Sequence, residues 1–261
     1  MSAALEGAGV VITGAGGGIG AALARRFQTE GARVVLSDVD GDAVSVVAAE
    51  LGVRAVVADA ASEEGIAALL EQATSELGAV DMYCANAGIA PHGGPEAPED
   101  VWAAAWDVNV MAHVRAARAL LPGWLERGSG RFLATVSAAG LLTSLGSAPY
   151  SVTKHGALAF AEWLSATYRH RGITVQAVCP QGVRTRMLAD TGVAGDLVMG
   201  ASAIEPEQVA DAVLEAMGDG RFLVLPHSEV AEYYANRATQ TDRWLGGMNK
   251  LQRKIEKATE A

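Results

Sequence analysis

Tyr150 and Lys154 fall four residues apart in Tyr150-Ser151-Val152-Thr153-Lys154. On a helix starting near Pro149, that spacing stacks a phenol and an ammonium on one face. A free phenol titrates near ~10, and a unit charge about 4 Å away at an effective dielectric of ~20 contributes roughly 4 kcal/mol, or about three pK units. The pair therefore predicts a tyrosine acidic enough to exchange a proton with a substrate near neutral pH. The alternative is an ordinary exposed helix face. Against coincidence, lysine is scarce, occurring only as Lys154, Lys250, Lys254 and Lys257.

A second constellation lies at the start of the chain. Gly14, Gly16, Gly18 and Gly20 in Thr13-Gly14-Ala15-Gly16-Gly17-Gly18-Ile19-Gly20 separate a β-branched run from a helical segment. A diphosphate placed there would meet backbone N–H groups and the positive helix end, and glycine lets the backbone approach it closely. A flexible turn in a Gly-rich chain is the competing reading. Asp38, eighteen positions beyond Gly20, ends the second strand. A carboxylate there accepts hydrogen bonds from an adenosine ribose and repels a 2′-phosphate. No Arg or Lys occurs from Leu36 to Ala43, and Gly17 stands where a cation would help NADP, so NAD is favoured over NADP. Asp38 could instead cap a helix near Gly41. Asp59, after the third strand, could accept from the adenine amino group, and Asn86-Ala87-Gly88 closes the fourth strand beside the cofactor. Turn chemistry alone would also account for both.

The elements that must position these groups alternate along the chain. Strands are predicted at 10–13, 33–37, 55–57, 80–84, 131–137, 173–179 and 221–225, with helices over 18–30, 63–77, 99–126 and 149–169. Continuous apolar strands separated by helices imply an α/β fold, a Rossmann-like, doubly wound parallel sheet of about seven strands with helices on both faces. No repeat, low-complexity tract or linker interrupts it, so residues 1–261 are expected to form a single dinucleotide-binding domain. The least regular stretch, 181–206, is rich in Gly, Ala and Thr and is expected to be the substrate loop.

Composition narrows the function classes. At 261 residues with a formal net charge of -10 and a pI near 5.0, the chain lacks the clustered cations that nucleic acid requires. Cys84 and Cys179 are far apart in apolar segments, which points to reduced core thiols and to no metal site. The uncharged stretch from Gly7 to Ala24 carries six glycines between Gly7 and Gly18 and makes a poor bilayer helix. Glu6 interrupts any secretory signal, so a cytoplasmic location and no membrane partner are expected. The mildly basic, amphipathic segment Arg243 to Lys257 is expected to be a peripheral helix or frayed tail rather than a membrane contact.

With these motifs in order, the chain resembles the short-chain dehydrogenase/reductase family over nearly its whole length. The resemblance rests on Thr-Gly-x-x-x-Gly-x-Gly at Thr13 to Gly20, Asn-Ala-Gly at Asn86 to Gly88, Asn109 in Asp107-Val108-Asn109-Val110, Ser137, and Tyr-x-x-x-Lys at Tyr150 to Lys154. It implies a catalytic set of Asn109, Ser137, Tyr150 and Lys154. Tyr150 would move the alcohol proton as hydride passes to the nicotinamide. Lys154 would lower its pKa and hold the nicotinamide ribose, Ser137 would hydrogen-bond the reacting oxygen, and Asn109, at a local helix distortion, would help hold a water linking Lys154 to solvent. The cofactor contacts it implies are Gly14, Gly16, Gly18, Ile19, Gly20, Asp38, Asp59, Ala60, Asn86, Ala87, Gly88, Tyr150, Lys154, Pro180, Val183 and Thr185. One departure stands out: Pro180-Gln181-Gly182-Val183-Arg184-Thr185 carries Gln181 where the family usually has glycine, and glutamine resists positive φ values.

The expected substrate walls are the segment after Gly88, residues 138–145, and Met187, Leu188, Leu197, Val198 and Met199. These are mostly apolar, which suits an apolar secondary alcohol or its ketone. His92 and His113 are expected to be surface or packing histidines. Arg184 and Arg186 belong to a solvated loop, with a substrate carboxylate as the alternative partner. The helix after Lys154 is apolar around much of its circumference, through Ala157, Leu158, Phe160, Trp163 and Leu164, and predicts a homodimer or homotetramer.

Overall fold

The computed structural model describes residues 5–191, 195 and 198–259. Its strands are β1 (Gly9–Thr13), β2 (Arg33–Asp38), β3 (Arg54–Val57), β4 (Met82–Ala85), β5 (Gly130–Thr135), β6 (Ile173–Val178) and β7 (Leu223–Val224). They form one parallel sheet in the order β3-β2-β1-β4-β5-β6-β7. The central strands β1, β4 and β5 are largely buried because helices cover both faces. Val11, Val35, Tyr83, Phe132 and Val175 point into one core with α3 (Glu63–Leu77), α5 (Ala112–Arg127) and α6 (Ala148–Tyr168). Their neighbours Val10, Ile12, Val34, Leu36, Met82 and Leu133 point the other way, toward α1 (Gly18–Thr29), α2 (Gly41–Leu51) and α8 (Pro206–Asp219).

Strand order reverses between β1 and β4, which opens a crevice at their carboxyl ends, where an open α/β sheet binds ligands. Five candidate motifs follow strands on that edge: the glycine loop after β1, Asp38 at the end of β2, Asn86 after β4, Ser137 after β5 and Pro180 after β6.

Local features refine these expectations. The helix predicted over 99–126 is two helices, α4 (Glu99–Trp106) and α5, joined through a π turn at Asp107–Met111 that contains Asn109. The distortion expected around Asn109 is thus a widened turn, braced by Arg115 Nη2 donating to Asp107 Oδ1 at 2.9 Å. Asp40, not Asp38, caps α2, its side chain accepting from the N–H of Ala43 at 3.0 Å. The last strand is only two residues long, because just Leu223 and Val224 register against Ala177 and Val178.

The short α7 (Arg186–Ala189) lies between α6 and α8, and beyond α8 lie α9 (Glu229–Thr239) and α10 (Thr241–Thr259), of which α10 has no fully buried residue. No helix among the described residues is long and apolar enough to cross a membrane.

Candidate active site

The glycine loop is built for close approach. Gly14 has φ 62°, and a Cβ added there would stand 2.9 Å from the Cα of Ala87, so a side chain would push apart the ends of β1 and β4. Helix α1 has no side-chain cap and no acidic residue in its first turn. Its first N–H groups are free to meet an anion. The cradle therefore fits a dinucleotide diphosphate. Across it stands Thr185, whose Cγ2 would be 2.9 Å from a Cβ on Gly18. Asp38 Oδ2 accepts from the N–H of Gly16 at 2.9 Å and Oδ1 from the N–H of Asp40 at 3.1 Å, so the carboxylate is held beside the loop.

Hydroxyl groups lock the next layer. Thr13 Oγ1 accepts from the N–H groups of Asn86 and Ala87, both at 3.1 Å. Asn86 Nδ2 donates to Thr13 O at 3.0 Å, and Thr135 Oγ1 donates to Asn86 Oδ1 at 3.0 Å. Asp59 turns one oxygen to the N–H of Ala61 at 2.9 Å and borders a cavity of about 530 Å³ together with Val108 and Arg115. Ala60 is buried in the core beside it.

Asn109 and Lys154 meet behind Gly88, where an added Cβ would be 3.2 Å from Asn109 Oδ1 and 3.4 Å from Lys154 Nζ. Asn109 exchanges two hydrogen bonds with the backbone of Ile89, at 3.0 and 2.9 Å, and donates to Thr153 Oγ1 at 3.0 Å. It thereby fixes α6 against the segment that follows β4. Ser137 Oγ contacts Pro180 O at 3.5 Å, and the N–H of Ala138 donates to the same carbonyl at 2.8 Å. A second cavity of about 530 Å³, bordered by Thr143, Ser144, Leu145, Ser147 and Ser151, opens at the start of α6. Of the expected walls, Met187 and Val198 are exposed, Leu188 and Met199 half-buried. Leu197 lies outside the described residues.

The electrostatic expectation needs correction. Lys154 Nζ lies 5.6 Å from the centroid of the Tyr150 ring, and the hydrogen bond it makes goes to Thr135 O at 3.0 Å. Burial raises the Tyr150 pKa, opposed by its hydrogen bond with Ser137. Burial also pushes the Lys154 ammonium down from 10.5 to about 8. Desolvation disfavours both charged forms and is the largest cause of each shift. Without ligand the pair therefore rests as a protonated phenol beside an easily deprotonated amine.

His113 is a packing residue, as expected. It is fully buried edge-on to Phe132, 6.1 Å between centroids, and neither ring nitrogen has a hydrogen-bond partner. Its pKa is pushed down from 6.5 to about 3, chiefly by burial and then by the charge of Lys154. Between those values the unfolded chain binds a proton that the folded one refuses, so stability is lost as pH falls through that window. His113→Leu should abolish this loss, which reaches on the order of 4 kcal/mol near pH 3. Acid unfolding followed by circular dichroism should show a lower pH midpoint, and an unchanged midpoint would contradict the assignment. His92 faces the loop, its Nε2 3.3 Å from Asp190 O. Arg184 pairs with Glu205 at 3.1 Å rather than standing ready for a substrate.

Gln181 needs no unusual backbone: among the described residues no non-glycine has positive φ. Its N–H donates to His227 Nδ1 at 3.2 Å. The structural parts played by Thr13, Thr135, Thr153 and His227 went unread in the sequence. Thr13 had a signal as the first residue of the glycine motif. The other three are ordinary in type and gain meaning only from neighbours distant in the chain.

Comparison with known proteins agrees with this geometry. A sequence model described as short chain dehydrogenase matches residues 8–194. The chain is 40% identical over 232 residues to 1-deoxy-11-beta-hydroxypentalenate dehydrogenase of Streptomyces exfoliatus, covering 84% of this chain and 82% of that one. A short chain dehydrogenase/reductase from Burkholderia phymatum, solved in complex with NAD, superposes with a TM-score of 0.84 at 26% identity, over 91% of this chain and 95% of that one. The 3-ketoacyl-(acyl-carrier-protein) reductase of Brucella melitensis, complexed with NADH, gives a TM-score of 0.79 at 28% identity, over 85% and 98%.

Proposed function

The chain belongs to the short-chain dehydrogenase/reductase family and is an oxidoreductase acting on CH–OH groups, and from that premise we propose that it interconverts an apolar secondary alcohol and its ketone with NAD, Tyr150 exchanging the proton. The observation that carries this reading is the meeting of Asn109, Ser137, Tyr150 and Lys154 at the strand ends beside the glycine cradle. A bound nicotinamide dinucleotide supplies the site with a hydride donor or acceptor. Its holding groups are the glycine loop, Asp38, Asp59, Ala60, the Asn86 to Gly88 turn, Pro180, Val183 and Thr185.

The chain's own groups supply the proton chemistry. Tyr150 Oη gives its proton to the carbonyl oxygen in reduction and takes the hydroxyl proton in oxidation. Ser137 Oγ donates to that oxygen as negative charge grows on it. Lys154 at 5.6 Å from the ring favours the phenolate, and Asn109 keeps α6 in register with the loop after β4. Since burial holds the phenol protonated, the resting site presents the form that reduces a ketone. Oxidation should gain rate as pH rises.

NAD preference follows from Asp38, whose two oxygens are held by backbone N–H groups next to Gly16 with no cation in the adjoining stretch. A unit charge about 4 Å from a phosphate at an effective dielectric of ~20 is worth roughly 4 kcal/mol. Asp38→Asn keeps the acceptor for Gly16 and removes the repulsion. Allowing for solvent exposure, kcat/KM for NADP should rise about a hundredfold relative to NAD. The measurement is turnover with both cofactors, and a wild-type enzyme already favouring NADP would overturn the preference.

The substrate side is proposed as the 181–206 loop with the apolar segments after Gly88 and Ser137, within one cofactor-binding domain. The Streptomyces exfoliatus relative, a dehydrogenase named for a hydroxypentalenate, supports a hydroxylated substrate. Trp106, Val152 and Trp163 remain 44–55% exposed on α4 and α6, a surface suited to a second copy in a homodimer or homotetramer of a cytoplasmic enzyme. A panel of secondary alcohols and ketones, followed by NADH absorbance, tests the whole reading. Failure to turn over any of them, together with failure to bind NADH, would end it.

A further inference from the structure

His227 sits just past β7, is 4% exposed, and bridges two loops. Its Nδ1 accepts from the N–H of Gln181 at 3.2 Å, and its Nε2 lies 3.1 Å from the carbonyl of Ser202. An amide N–H can only donate and a carbonyl can only accept, so these partners fix one neutral tautomer, bare at Nδ1 and protonated at Nε2. The loops joined are the stretch from Pro180 to Thr185, which faces the glycine cradle through Thr185, and the end of the substrate loop. The same two run side by side further on: Ile204 N–H donates to Gly182 O at 3.1 Å and Arg184 N–H to Ile204 O at 2.9 Å. Gly182 packs so closely there that an added Cβ would stand 2.8 Å from Met199 Cβ. The backbone of His227 is anchored in turn, its carbonyl accepting from Val230 N–H at 3.1 Å.

We propose that His227 is a positioning residue that couples the cofactor loop to the substrate loop, so that a nicotinamide dinucleotide ordering residues 182–185 also orders residues 200–204. The coupling rests on the dehydrogenase reading above. It gives Gln181 a purpose: a non-glycine residue keeps an extra torsional restraint at the position whose N–H the imidazole holds.

The test uses the full chain with NADH as the probe, and compares His227→Leu, which removes both bonds, with His227→Gln, whose amide has an acceptor and a donor at nearly the imidazole spacing. Hydrogen exchange of backbone amides is read by mass spectrometry with and without NADH, alongside a fluorescence titration. In the wild type, NADH should slow exchange over 182–185 and 200–204 alike. In His227→Leu the slowing over 200–204 should be diminished, because only the backbone bonds at Ile204 still join the segments, with NADH bound about fivefold more weakly, the scale of one net hydrogen bond. His227→Gln should restore both. Undiminished slowing over 200–204 in His227→Leu would overturn the coupling, as would a folded His227→Gln that behaves like the leucine variant. If the leucine variant does not fold, the glutamine variant decides alone. A wild-type chain that shows no NADH binding in the titration would instead refute the dehydrogenase reading, and the coupling with it.

Discussion

Tyr150→Phe should lower kcat for either direction by about a thousandfold, within the range a positioned acid or base supplies, and leave NADH binding within about twofold. The substitution deletes one oxygen. The ring remains at the start of α6 where Lys154 Nζ approaches it to 5.6 Å, and the glycine cradle, Asp38 and the Asn86 turn are untouched. What disappears is the group that can pass a proton to the reacting oxygen and that hydrogen-bonds with Ser137. Single-turnover kinetics at saturating cofactor isolate the chemical step, and NADH fluorescence reports binding. A variant retaining a tenth of the wild-type rate would show that another group moves the proton. Ser137 would then be the first candidate, being the other hydroxyl at the strand end.

The sheet and the Tyr150–Lys154 helix face were legible in the sequence because periodicity and spacing are local, whereas the roles of Ser137 and Asn109 came only with the family resemblance. Val10 to Thr13 reads as a buried strand and Tyr150 to Lys154 as one helical face because neither depends on distant chain. The protonation states were not legible. Four-residue spacing suggested a close phenol–ammonium pair, whereas the folded chain turns Nζ to the carbonyl of Thr135, nineteen residues earlier, and buries Lys154. Desolvation is a property of everything packed around a residue, and no local window reports it. The same holds for Gln181. Alone it reads as a poor substitute for glycine, yet a histidine 46 positions later supplies its amide with a partner. The last strand was overestimated because 221–225, apolar from Phe222 onward, looks strand-like throughout, while pairing with β6 reaches only Leu223 and Val224. Asn109 shows an intermediate case: its place in a distorted turn followed from the family pattern, and the π turn then aims its amide at both Ile89 and Thr153.

Lys154→Met separates what this residue does for catalysis from what it does to stability. Turnover should fall at least a hundredfold, because the phenolate loses its cationic neighbour and the proton path loses a member. Stability should move in a pH-dependent way, best measured without cofactor. Lys154 is 3% exposed and its folded pKa is lowered from 10.5 to about 8. Below pH 8 both folded and unfolded forms carry the proton, and burying that charge costs roughly 3 kcal/mol. Between about 8 and 10.5 the folded form has shed the proton and the unfolded form has not, so the cost fades and wild-type stability climbs with pH. Methionine fills a similar volume with no charge, but it leaves the carbonyl of Thr135 without its 3.0 Å donor, a penalty of about 1–3 kcal/mol. The two effects nearly cancel at pH 7, where the variant should melt close to the wild type or slightly above it. By pH 10 the first effect is gone and the second remains, so the variant should be the less stable by about 2 kcal/mol. Chemical denaturation at both pH values reads the difference directly. Parallel stability profiles across that interval would mean that the ammonium is not held in a desolvated site, and the account of the resting Tyr150–Lys154 pair would fall with it.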